Sequence, residues 1–164
     1  MKLSLKDYYQ KVKLSILVSF DINVIDKEKR ILLGKRKNNP AKGYFFTPGG
    51  NVYKGESFEK AIRRISKREL GFEISPKEVH LNGVSSQIYK NNFKDSHFST
   101  HYYTFNFSYR LKKNQKINET IFLKQHSAIK WMKKENLLKD KEVHIYVKNY
   151  FKKTHKADKI IFMK

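Results

Sequence analysis

Residues 49 to 72, GGNVYKGESFEKAIRRISKRELGF, hold the densest set of side chains that could do chemistry. Thr47-Pro48-Gly49-Gly50 reads as a tight turn, in which glycine tolerates left-handed dihedrals and lets the backbone approach a ligand closely. The helix that should follow carries Glu56 before it and Arg64, Arg68 and Glu69 along it. A glycine turn feeding a helix with carboxylates is a layout for phosphate and metal. Positions 65, 68 and 69 are spaced i, i+3 and i+4, so they share one helix face, and here that face reads Ile65, Arg68, Glu69. One carboxylate cannot hold a cluster of cations, and the neighbouring guanidinium repels them. A single metal at most is expected.

The elements that must position these groups follow from periodicity. Ser57 to Leu70 reads as a helix with Phe58, Ala61, Ile62 and Ile65 as its apolar stripe, ended by Gly71. Before it, the pattern predicts a short helix over Leu5 to Val12, a strand from Ser15 to Ile25, a turn at Asp26 to Arg30 and a strand from Ile31 to Lys37. After it come strands over Val79 to Tyr89 and Ser99 to Leu111, the second placing Tyr103, Phe105, Phe107 and Tyr109 on one face. A short strand at Ala128 to Met132 and a helix from Asp140 to about Lys152 close the chain. Strands, helix, strands and helix in that order describe an α+β sandwich.

Composition sets the outer limits. A chain of 164 residues, 39% of them hydrophobic, is expected to be a single domain over 1–164 with a proper core, the last residues forming a basic tail. It has no cysteine, so no disulfide framework, and MKLSLKDYYQK lacks the apolar core of a signal peptide. No apolar run reaches transmembrane length, so a cytoplasmic protein without a membrane partner is expected. Thirty-six basic against fifteen acidic side chains give a net charge of +21, a surplus that suits polyanionic partners. The lysines are spread along the chain without a nucleic-acid motif, so nucleic acid is not the expected partner.

From Gly50 the spacing G-x5-E-x7-R, closing on Glu69 and Gly71, resembles the Nudix box, with Ile65 and Arg68 in place of two of its glutamates. LLGKR at 32–36, NNPAKGYFFTPGG at 38–50, FSTHYY at 98–103 and KQHSAIKW at 124–131 extend the likeness. Together they resemble the GDP-mannose mannosyl hydrolases, a Nudix branch lacking the same helix glutamates. The resemblance covers roughly residues 3–150 and implies a Nudix-type α/β/α sandwich with a mixed β-sheet.

By that resemblance one Mg2+ per site would be held by Glu69, the Gln125 side chain and the Gly50 carbonyl, an all-oxygen set completed by substrate phosphates. His126 matches the general base, with an ordinary imidazole pKa near ~6.5. Arg36 matches the arginine that steadies a leaving diphosphate, Arg64 and Tyr102 would contact the same group, and Asp21 would face the sugar. Asn51 stands where close relatives carry a diphosphate-binding arginine, and Gln87 roughly where they carry a histidine near the sugar. Ser127 and Ala128 stand where the family places acids after its histidine. The implied reaction is hydrolysis of a GDP-hexose at the anomeric carbon to GDP and free hexose, in a homodimer serving polysaccharide biosynthesis. The alternatives are a Nudix pyrophosphohydrolase attacking phosphorus, and a non-catalytic module that binds a nucleotide-sugar or RNA.

Overall fold

The computed structural model describes residues 3–152; the expected basic tail lies outside the described residues. Helix α1 (Leu5–Leu14) is capped by Ser4, whose hydroxyl accepts from the Asp7 amide. Strands β1 (Leu17–Ile25) and β2 (Ile31–Arg36) follow, then the short β3 (Phe45–Phe46) and β4 (Gly49–Asn51). Helix α2 (Phe58–Leu70) starts at Ser57, which accepts from the Lys60 amide, and stops at Gly71, left-handed at φ 86°. A 3-10 turn (Pro76–Glu78), β5 (His80–Tyr89) and β6 (Thr100–Arg110) come next. Helix α3 (Glu119–Gln125), β7 (His126–Met132), α4 (Lys134–Lys139) and α5 (Ile145–Phe151) complete the described chain.

The strands form a mixed sheet in the order β3-β2-β1-β6-β5, with β4 paired to β1 and β7 to β2. β1 and β6 run parallel from Leu17↔Tyr102 to Ile25↔Arg110, and the other pairings are antiparallel. Alternation along β1 and β2 builds two layers. Phe20, Ile22, Val24 and Leu32 pack against Ala61, Ile62, Ile65 and Leu70 of α2 and Phe122 of α3. Ile31 and Leu33, on the opposite face of β2, pack with Phe45, Leu137 of α4 and Val147 of α5. Each fully buried aliphatic side chain there stabilises the fold by roughly 1.5–3 kcal/mol. The result is the α+β sandwich the element order implies.

The remaining face of β1 is unusual. Ser19, Asp21 and Asn23 alternate with the apolar residues yet are all buried. Ser19 bonds Thr104 at 2.8 Å and Asn23 Nδ2 donates to Asn106 Oδ1 at 2.9 Å, so β6 supplies a partner to two of the three. Asp21 is satisfied elsewhere, and that difference marks the site.

The structure departs from the sequence reading in its helices. The C-terminal helix expected from Asp140 starts only at Ile145, as α5, because Asp140–His144 leaves helical geometry to bury Val143 and pair it with Phe45, and α4 precedes it as a separate helix that the sequence reading lacks. Helix α3 has no counterpart in the sequence reading; seven residues are too few to show helical periodicity, although Asn118 caps it through the Ile121 amide. Tyr103, Phe105, Phe107 and Tyr109 do share one face of β6, with Phe107 and Tyr109 in the core under α2 and Tyr103 45% exposed.

Candidate active site

β1 and β2 share only the pair Ile25↔Ile31 before they diverge, β4 pairing with β1 at Ser19–Asp21 while β7 pairs with β2. At the diverging end lies a cavity of about 580 Å3, within the range that encloses small organic ligands. The structure brings Asp21, Arg36, Gly50 and Asn51 to its wall, together with Glu69 from α2. Gln87, Tyr102, Gln125 and His126 line it as well.

Arg64 is not part of that lining. Its Nε and Nη2 donate to the two oxygens of Glu56 at 2.5 and 2.7 Å, and Nη2 also donates to the Asn51 carbonyl at 2.9 Å. The guanidinium stacks 3.9 Å over Tyr53, so Arg64 pins the glycine turn to α2. From there Arg64 supports the turn from behind, its Nη1 buried without a partner in the protein.

Asp21 is buried on the cavity wall. Its Oδ2 accepts from the Tyr150 hydroxyl at 2.6 Å, and Gln87 Nε2 donates to that same hydroxyl oxygen at 2.5 Å. Tyr89 in turn donates to Gln87 Oε1 at 2.9 Å. Burial pushes the Asp21 carboxyl up to about 7, against the pull of the Tyr150 bond and the Arg36 charge. Beside it Arg36 Nε and Thr47 Oγ1 are buried without a partner in the protein. Buried orphan donors on a cavity wall are groups that a bound polar ligand would satisfy.

His126 begins β7 and is buried, its ring stacked on Phe122 with centroids 4.3 Å apart. Gly34 on β2 permits this, since a Cβ there would collide with the imidazole. Nδ1 lies 3.0 Å from the Phe122 carbonyl, which can only accept, so Nδ1 carries the proton and Nε2 presents a lone pair. The ordinary pKa expected for this imidazole is corrected: burial pushes it down to about 4, with Arg36 and Lys37 adding repulsion. His126 is a neutral acceptor at physiological pH.

On α2, Ile65 is fully buried against the sheet, and Arg68 Nε donates to Glu69 Oε1 at 3.0 Å. Burial raises the Glu69 pKa, with Arg68 opposing it. Among the described residues no three His, Cys, Asp or Glu side chains group to hold a metal. A cluster of ions does not fit. One hard cation does: Glu69, Gln125 and Gly50 line the same cavity, and each has an oxygen that could serve as a donor.

Tyr8, Tyr89 and Tyr150 were not singled out by sequence reasoning, and Thr47 was named only as part of the turn. Gln87 and Tyr89 sit two apart on one strand face, and Tyr146 and Tyr150 four apart on one helix face, which were the available signals. Tyr8 of α1 accepts from Asn51 Nδ2 at 2.7 Å, so the N-terminal helix borders the site.

The architecture is the NUDIX fold. It superimposes on a MutT NUDIX hydrolase of Burkholderia pseudomallei with a TM-score of 0.66 at 22% identity, covering 84% of this chain and 96% of that one. The NUDIX domain of Shewanella oneidensis NrtR, solved with ADP ribose, matches at a TM-score of 0.59 and 18% identity over 90% and 96% of the two chains. The family model for the NUDIX domain matches residues 16–152, and the chain belongs to that family. A low-salt glycan biosynthesis protein of Haloferax volcanii is 36% identical over 114 residues, 70% of this chain and 69% of its own. An ADP-ribose pyrophosphatase of Methanocaldococcus jannaschii is 51% identical over 63 residues, which are 38% of this chain and 36% of that protein.

Proposed function

We propose that this NUDIX protein hydrolyses a GDP-hexose, GDP-mannose or a close relative, at the anomeric carbon, releasing GDP and free hexose. The observation that carries the reading is the pairing of two walls in one cavity. The α2 wall offers a single carboxylate, since Ile65 is in the core and Arg68 covers Glu69. The β1 wall offers Asp21 in a hydrogen-bonded set with Tyr150, Gln87 and Tyr89, groups suited to sugar hydroxyls. The glycan context of the Haloferax relative agrees with a sugar substrate.

The residues divide the work as follows. Arg36, with an unpartnered buried Nε, takes the diphosphate that departs. Glu69, Gln125 and the Gly50 carbonyl would hold one Mg2+, which when bound neutralises charge on that diphosphate. Tyr102 lines the same cavity and would contact that diphosphate. Water attacks C1 from the face opposite the diphosphate; His126 Nε2 takes its proton, the new C1–O bond forms, and the old one breaks with its electrons leaving on GDP. Asp21, ionised, stabilises the positive charge that develops at C1. An oxocarbenium-like transition state engages water weakly and asks little basicity of His126. One displacement inverts the anomer.

A second reading, cleavage at phosphorus, is favoured by the likeness to the ADP-ribose pyrophosphatase, which includes high identity over a limited stretch. Products separate the two. GDP with free mannose from GDP-mannose and Mg2+ supports attack at carbon, whereas GMP with mannose 1-phosphate establishes the second reading. We also propose a single-domain, cytoplasmic homodimer joined through its N-terminal segment. Leu5, Leu14, Ile16 and Val18 are exposed there, and light scattering at the monomer mass would overturn the dimer.

A further inference from the structure

Glu69 is 4% exposed, and a buried carboxylate stays ionised only beside a cation or several donors. Arg68 is that cation. Its Nε donates to Glu69 Oε1 at 3.0 Å, and its Nη2 donates to the Gly49 carbonyl at 3.2 Å. The guanidinium therefore bridges α2 and the glycine turn. It lies so close over Gly50 that a Cβ at that residue would collide with Nη2. No other bond to the Glu69 carboxylate is made by the described side chains that line the cavity. The Arg68 side chain is 41% exposed, so leaving this position costs it little packing.

These contacts place a fixed positive charge on the one carboxylate of the α2 wall and on the turn beside Gly50. A divalent ion approaching Glu69 meets a group that already holds the oxygen it needs and repels it. Departure of the guanidinium is costly while it has no other anion to join. A nucleoside diphosphate entering the same cavity, which Arg68 also lines, provides that anion.

We propose that Arg68 is a resident counter-ion which a divalent cation must displace from Glu69, and that a nucleoside diphosphate promotes the exchange by giving the displaced guanidinium a partner. The inference rests on the single-metal reading above. It makes the free protein a weak metal binder and couples metal and nucleotide binding, each strengthening the other by the same factor.

The test is Mn2+ binding, followed by electron paramagnetic resonance of the free ion, with and without GDP. The natural chain is compared with Arg68→Met, which keeps the stem of the side chain and removes the charge, and with Glu69→Gln. Without nucleotide, Arg68→Met is expected to bind Mn2+ roughly tenfold more tightly, the factor for losing one competing charge-assisted hydrogen bond. GDP is expected to tighten Mn2+ binding more in the natural chain than in Arg68→Met. Equal or weaker binding by Arg68→Met, with Glu69→Gln still weakening it, would overturn the counter-ion role and leave the metal reading standing. Binding indifferent to Glu69→Gln in both backgrounds would overturn both.

Discussion

Asp21→Asn separates function from stability at the centre of this site. The carboxyl is fully buried and its pKa is pushed from 3.8 up to about 7, chiefly by desolvation. The native state therefore holds a proton that the unfolded chain releases near pH 4. The sign follows: stability from this group is fully present below the unfolded value and is lost as pH rises through about 7. Between pH 5 and pH 7 the unfolded chain is ionised while native Asp21 still holds its proton, two pH units at about 1.36 kcal/mol each, or about 2.7 kcal/mol. Asparagine keeps an oxygen that can accept from Tyr150 and carries no charge to desolvate. Urea unfolding of the natural chain should lose about 2.7 kcal/mol between pH 5 and pH 8 relative to Asp21→Asn. The variant should be the more stable at pH 8 and should have lost turnover, because it cannot offset positive charge at C1. The natural chain's kcat should rise with pH through about 7 as Asp21 ionises. A variant destabilised equally at both pH values would refute the burial argument.

Further outcomes are expected from single changes around this residue. Tyr150→Phe removes the donor at 2.6 Å, so the acidic limb of the pH–rate profile should move up by about one unit, with kcat falling more than KM changes; an unmoved limb would remove Tyr150 from the account. His126→Ala should abolish turnover while isothermal titration shows GDP affinity within about threefold of the natural value; retained turnover would remove the base. Gly34→Ala drives a Cβ into the His126 ring, and should cost roughly 1–3 kcal/mol in urea unfolding together with most of the activity. A neutral Gly34→Ala would mean that the imidazole position is not fixed by this strand.

Much of the layout is legible in the sequence because it depends on local spacing. The glycine turn, the capped helix and the alternation in β1 and β2 are set by neighbours in the chain, and their register carries Glu69, Arg36 and Asp21 to one end of the sheet. What the sequence does not show depends on distant parts meeting. Tyr150 reaches Asp21 across 129 positions, and only the packing of α5 on the second sheet face makes that contact. Arg64 has the residue type for phosphate, yet its Nε and Nη2 are engaged by Glu56 and the Asn51 carbonyl and the residue stands outside the cavity lining. The shift of His126 away from ordinary imidazole behaviour comes from the depth of its pocket under Phe122 and Gly34, which spacing does not encode.

Turnover of GDP-mannose with Mg2+ in oxygen-18 water tests the central claim most directly. Attack at the anomeric carbon places the label in the free mannose, leaves GDP unlabelled and gives the β anomer first in the proton spectrum. Label in GMP or in a sugar phosphate would show attack at phosphorus and contradict the roles assigned to Asp21 and His126.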